Sequence, residues 1–217
     1  MPYTLEVCVD SVASALAAKR GGADRLELCA DLIIGGTTPS LALVRQVKAE
    51  TGLPVRALLR PRFGDFCYDR YELAQMEQLA AELVAAGADG IVTGALTPEG
   101  DLDTAALRPI YAAARRAARE AGRPAACTLH RAFDVCRDPF AALEAAKELQ
   151  LATILPVGRQ PVPRRERPSS TSWCRPPGMT LRSWWVLASA PPTSRTLPPR
   201  RVPGRSTSRA KKSLTAG

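Results

Sequence analysis

The sharpest deficiency of this chain is local. After Leu155 there is no Ile, Phe, Tyr, Asp or His, whereas 11 of the 19 prolines and all three tryptophans (Trp173, Trp184, Trp185) fall there. Proline every few residues removes ladder donors and blocks helix interiors, which excludes a strand-helix alternation in that stretch. Histidine is scarce throughout: His130 is the only one. The six cysteines (Cys8, Cys29, Cys67, Cys127, Cys136, Cys174) include no CxxC pair, and no signal peptide is recognisable ahead of them. A disulfide framework is therefore not expected.

Acidic residues are missing from the same tail. Residues 1–150 hold 17 Lys and Arg against 20 Asp and Glu, a balance of −3, while the last 67 residues hold 13 basic residues and the single acid Glu166, a balance of +12. The net +9 thus belongs to the tail. As a unit, 156–217 reads as a basic Pro/Arg/Ser-rich segment, expected to be disordered. Nucleic-acid binding by it would rest on phosphate neutralisation alone, and neither a nucleic-acid nor a membrane partner is expected. Its composition, following directly on an interrupted repeat, resembles translation of a GC-rich gene in the wrong frame. We read it as a frameshifted remnant of further strands.

Residues 1–155 are regular. Gly21-Gly22, Gly52, Gly87 and Gly122 recur at spacings of about 30 to 35 residues, each closing an Ala- or Leu-rich helical stretch, as glycine does at a left-handed helix C-cap. A short apolar run follows each, so the unit is a βα repeat. Strands are expected at about 4–9, 25–29, 55–60, 89–94, 126–130 and 152–155, with helices between them. Leu73, Met76, Leu79, Ala80 and Leu83 keep helical spacing. Thr38-Pro39 and Asp138-Pro139 each read as an N-cap followed by proline at the first helical position.

The runs Leu5-Glu6-Val7-Cys8-Val9-Asp10 and Leu26-Glu27-Leu28-Cys29-Ala30-Asp31 are near copies. Alternation puts Glu6, Cys8 and Asp10 on one strand face and the aliphatic residues on the other. Doubly wound sheets are apolar on both faces, so this polar face favours a TIM-type (βα)8 barrel, incomplete here at about six βα units. Cys8 and Cys29, equivalently placed on neighbouring strands, suit a soft ion such as Cu(I); the alternative is that both are small buried hydrophobes.

Other candidate residues cluster near strand ends. His130 stands where a strand yields to a loop, beside Arg131 and Asp134, the usual catalytic location in a barrel, though a lone histidine is often structural. Arg60 and Arg62, followed by Asp65 and Tyr68, suit a carboxylate or phosphate; alternatively Arg60 pairs internally with Glu6 or Glu27. Gly35-Gly36 before a helix offers amides to an anion or is merely a tight turn.

Taken together, Glu6 to Ser11, Gly21 to Cys29, Gly35 to Ser40, Arg60 to Tyr68 and His130 to Asp134 resemble the CutC copper homeostasis family, in family order, over residues 1 to about 155. The resemblance implies a TIM-type barrel, a cytoplasmic location, Cu(I) association and a polar cleft at the barrel mouth. Carried over by position, the cleft residues are Glu6, Glu27, Arg60, His130 and Asp134, and the candidate copper ligands are Cys8 and Cys29. Phe63 and Ile34 depart from the family pattern in loops beside the cleft, and nothing matches the family after Pro156-Val157-Gly158. Three readings follow: a Cu(I)-binding homeostasis protein; a barrel enzyme in which Glu6, Glu27 or His130 is the acid or base and Arg62, Asp65, Tyr68 and Arg131 bind an anionic substrate; or an inactive partial barrel. The open edges of a partial barrel favour a homo-oligomer.

Overall fold

The computed structural model describes residues 4–156. Six strands run in chain order as one parallel sheet: β1 (Glu6–Val9), β2 (Arg25–Leu28), β3 (Val55–Leu58), β4 (Gly90–Thr93), β5 (Ala126–Leu129) and β6 (Thr153–Ile154). Between them lie α1 (Val12–Arg20), α2 (Leu41–Thr51), α3 (Arg70–Ala85), α4 (Thr104–Glu120), the single turn α5 (Ala132–Val135) and α6 (Pro139–Glu148), with a short 3-10 turn at Leu32–Ile34. All six expected strands are present, each shorter than expected at one or both ends. Sequential order without a reversal is the arc of a barrel rather than a doubly wound sheet. The expectations for the tail from Val157 onward, Cys174 included, lie outside the described residues. Among the described residues, no helix is long and apolar enough to cross a membrane.

Two apolar groups show how the strands face. The larger joins Val9, Leu26, Leu28, Val55, Ala57, Leu59, Ile91 and Leu129 of the sheet to Ala15, Val44, Val47, Met76, Leu83, Leu107 and Ile110 of the helices. That is the layer between sheet and helices. The smaller is Cys29, Leu58, Val92 and Leu155, residues of the opposite strand parity, which line the concave interior. Period-two alternation, already visible in the first two strands, thus governs the whole sheet.

Helix ends follow the expected chemistry with one correction. Asp138 caps α6 by accepting from the Phe140 and Ala141 amides, with Pro139 at the first helical position. Thr38-Pro39 does not play this part for α2: the cap is Ser40, whose hydroxyl accepts from the Leu43 amide. The Thr38 hydroxyl is used elsewhere, accepting from the Arg60 amide at 2.9 Å, so this threonine ties the α2 approach to the end of β3.

Two glycines are required for different reasons. Gly122 sits at φ +67° with open space around it, while a Cβ on Gly90 would lie 2.3 Å from the Ala126 carbonyl oxygen of β5. Gly122→Ala should therefore cost about 1 kcal/mol of backbone strain. Gly90→Ala forces β4 and β5 apart and should cost about 3 kcal/mol. Chemical denaturation of the two variants checks the order; equal losses would contradict the close approach.

Candidate functional site

The interior face is arranged in levels that strand register defines. Glu6 lies opposite Arg25, Cys8 opposite Glu27, Glu27 opposite Arg56, and Arg56 opposite Gly90. These residues occupy the N-terminal part of the interior. Glu6 is 2% exposed and Glu27 8%. Buried charge demands partners: Arg25 donates through Nε to the Glu6 carboxylate at 2.9 Å and through a second nitrogen to the same oxygen. The remaining oxygen, Glu6 Oε1, is buried without a hydrogen-bond partner. Arg56 reaches across the interior to the hydroxyls of Thr128 (2.9 Å) and Thr153 (3.0 Å), linking β3 to β5 and β6.

Glu27 carries the most functional electrostatics of this level. Burial and the neighbouring Glu6 charge push its carboxyl up to about 7, against the opposing pull of Cys8, which hydrogen-bonds to it, and of Arg56 and Arg25. Burial, reinforced by the Glu27 charge, also raises Cys8 well above the usual thiol range. Cys29 is one pleat further along β2, its amide donating to the Val9 carbonyl at 3.0 Å and its thiol to the same oxygen at 3.5 Å. Burial and the Glu27 charge push it up to about 12. Both thiols are therefore protonated at neutral pH.

Above this level Cys29, Leu58, Val92 and Leu155 form an apolar floor, and above the floor lies a second polar cluster. Arg60 follows Arg56 by four residues, about 13 Å of extended chain. Its guanidinium does not pair with Glu6 or Glu27, as one reading of the sequence had it. It donates instead to the carbonyls of Gly35 (3.2 Å), Gly36 (3.0 Å) and Gly64 (2.9 Å), fastening two mouth loops. The amides of Gly35 and Gly36 donate to Leu32 and Asp31 carbonyls, so the glycine pair supplies acceptors to Arg60 and no anion nest.

His130 belongs to the upper cluster. It is 5% exposed, its ring lies 4.6 Å from that of Phe66, and its Nδ1 accepts from the Ala132 amide at 3.2 Å. Burial, together with the Arg60 and Arg131 charges, pulls it down to about 3. It is thus a neutral imidazole whose proton resides on Nε2. Asp134 is half-buried on α5. Arg62 and Asp65 pair with each other at 3.0 Å, and Arg62 pairs with Glu72 at 2.6 Å, so these two brace the β3–α3 loop. Phe63 and Ile34, the departures from the family pattern, are 67% and 47% exposed on the mouth loops.

The expected single cleft of Glu6, Glu27, Arg60, His130 and Asp134 is therefore two clusters at different heights. Sequence reading missed Arg25 and Arg56, which neutralise the lower one. The available signal was strand parity: Arg25 is in phase with Glu27, and Arg56 with Arg60.

A raised folded pKa means that the native state binds more protons than the unfolded chain between the ordinary 4.5 and about 7. The stabilisation by neutral Glu27 is complete below about pH 4.5 and is lost as pH rises through 7. Glu27→Gln, which imitates the neutral acid, should melt above the parent protein at pH 8 by on the order of 1–3 kcal/mol, with the gap closing towards pH 4.5. Parallel pH-stability curves for the two proteins would contradict this.

The geometry can now be set beside known proteins. The family model of the CutC family matches residues 3–165, so the match runs seven residues past Gly158, where the sequence reading had it end. The human copper homeostasis protein cutC homolog is 44% identical over 156 residues, covering 72% of this chain and 54% of the human protein. A CutC family protein of Citrobacter koseri is 42% identical over 156 residues, with 72% and 60% covered. The chain thus spans a little over half the length of these relatives. A CutC crystal structure from Streptococcus agalactiae superposes with TM-score 0.65 at 29% identity, covering 73% of this chain and 74% of that one. Phosphonopyruvate hydrolase, at TM-score 0.53 and 18% identity over 75% of this chain and 60% of its own, shares the fold alone. With the family model matching three quarters of its length, the chain belongs to the CutC family.

Proposed function

We propose that the chain serves copper homeostasis by holding Cu(I), as cargo, between the thiolates of Cys8 and Cys29, in the cytoplasm. The observation that carries this reading is the placement of two thiols one pleat apart on the interior face of adjacent strands. Relatives named as copper homeostasis proteins support the choice of metal. The donor set suits a soft monovalent ion, because thiolates select Cu(I). The cysteines of the described residues, Cys8, Cys29, Cys67, Cys127 and Cys136, are free thiols, which supports a reducing compartment.

Loading must expel thiol protons, because burial and nearby carboxylates keep both thiols protonated. Cu(I) affinity should therefore rise with pH. Competition against a chromophoric Cu(I) chelator under anaerobic conditions tests the assignment. The Cys8→Ser, Cys29→Ser double variant should lose more affinity than the roughly 10–100-fold that loss of an outer-shell partner costs. Unchanged affinity in a folded double variant would overturn the assignment, as would a pH-independent affinity of the parent chain.

A further inference from the structure

The upper cluster contains three buried polar atoms without a hydrogen-bond partner: Arg60 Nε, Tyr68 Oη and His130 Nε2. Arg60 and His130 pack on one aromatic side chain, and Tyr68 lies beside Arg60. The Arg60 guanidinium carbon lies 5.1 Å from the Phe66 ring centroid, that of Arg131 5.9 Å, and the His130 ring 4.6 Å. The Tyr68 oxygen faces Arg60 as a hydrogen-bond acceptor, which leaves the hydroxyl proton itself without a partner. Arg131 packs on Gly35, where a Cβ would lie 2.5 Å from its Nη2, and Arg60 bonds the carbonyl of that same glycine.

All three atoms are donors in the states this environment sets. Arg60 is cationic; Tyr68 is pushed up to about 12 by burial and keeps its proton; neutral His130 accepts at Nδ1 and so presents Nε2–H. A buried donor left unmade is costly, and the Tyr68 hydroxyl proton and His130 Nε2–H lack an acceptor even with the Tyr68 oxygen turned to Arg60, so the cluster calls for one. The charges agree: among the described residues neither Arg60 nor Arg131 has a carboxylate at ion-pair distance. Arg131 is exposed, which gives the cluster a solvent-facing side.

We propose that Arg60, Tyr68 and His130, with Arg131 at the rim, form a binding site for a small oxyanion, a carboxylate or a phosphoryl group, at the barrel mouth. An oxyanion has only acceptors and so matches three donors, and its charge offsets two unpaired guanidiniums. This site uses neither cysteine: Cys8 lies below the apolar floor, and Cys29 is part of the floor itself, with Leu58, Val92 and Leu155.

Isothermal titration of the full chain with inorganic phosphate and, separately, with malonate tests the site. Saturable binding of at least one is expected, and the tighter of the two identifies the oxyanion chemistry. Tyr68→Phe removes one hydroxyl and keeps the ring, and Arg131→Met removes an exposed charge; each should weaken binding about five- to tenfold, as loss of one hydrogen bond of roughly 1–1.4 kcal/mol does. The Cys8→Ser, Cys29→Ser variant should bind the anion as the parent does, which separates this inference from the copper assignment. No saturable binding of either anion, or binding unchanged in both Tyr68→Phe and Arg131→Met, would overturn it.

Discussion

Charge carried into the interior of a parallel sheet is the constraint on which this structure depends. Glu6, Glu27, Arg56 and Arg60 are all buried, and an ionised group out of water persists only when paired and hydrogen-bonded. Each has a different solution. Glu6 takes Arg25 from the next strand; Arg56 takes two threonine hydroxyls across the interior; Arg60 takes three loop carbonyls; and Glu27 responds by holding its proton up to about pH 7. These bonds connect strands far apart in sequence, so the same groups that supply chemistry also set where the strands and mouth loops sit.

An apolar floor then divides the polar interior. Leu58 stands between Arg56 and Arg60 on one strand, and Cys29, Val92 and Leu155 continue the level across its neighbours. Below it are carboxylates, the Arg25 and Arg56 guanidiniums and the Cys8 thiol, while the Cys29 thiol is in the floor itself; above it are donors whose acceptors are incomplete. The lower level has the thiol and the burial that suit a thiophilic cation, and the upper level has the donor surplus that suits an anion. Opposite ligand chemistries on one interior face are compatible because the floor keeps each cluster's hydrogen bonds to itself.

Much of this was legible in the sequence. Period-two alternation in Glu6-Val7-Cys8 and Glu27-Leu28-Cys29 identified an interior face, and glycine punctuation located the βα units, because both signals are local. Height along the barrel was not legible. It depends on register, and register is set by how each loop returns the chain: Glu6 meets Arg25 rather than any mouth residue. Of the two alternatives for Arg60, internal pairing with Glu6 or Glu27 failed for the same reason, since the Gly35, Gly36 and Gly64 carbonyls come to it only once the mouth loops fold over. Arg56 escaped notice inside Val55-Arg56-Ala57-Leu58, where the neighbours suggest a wholly apolar strand. Thr38 resembled a helix cap because sequence spacing cannot show that its hydroxyl is engaged by the Arg60 amide.

The division of the interior into two independent clusters is tested most directly by a double-mutant cycle on stability between Glu27→Gln below the floor and His130→Gln above it. Sites more than about 7–10 Å apart with no shared partner add within roughly 0.3–0.5 kcal/mol, and that additivity is the result predicted here. A coupling energy above about 1 kcal/mol would mean that the carboxylate and the imidazole belong to one site, contradicting the two-level account.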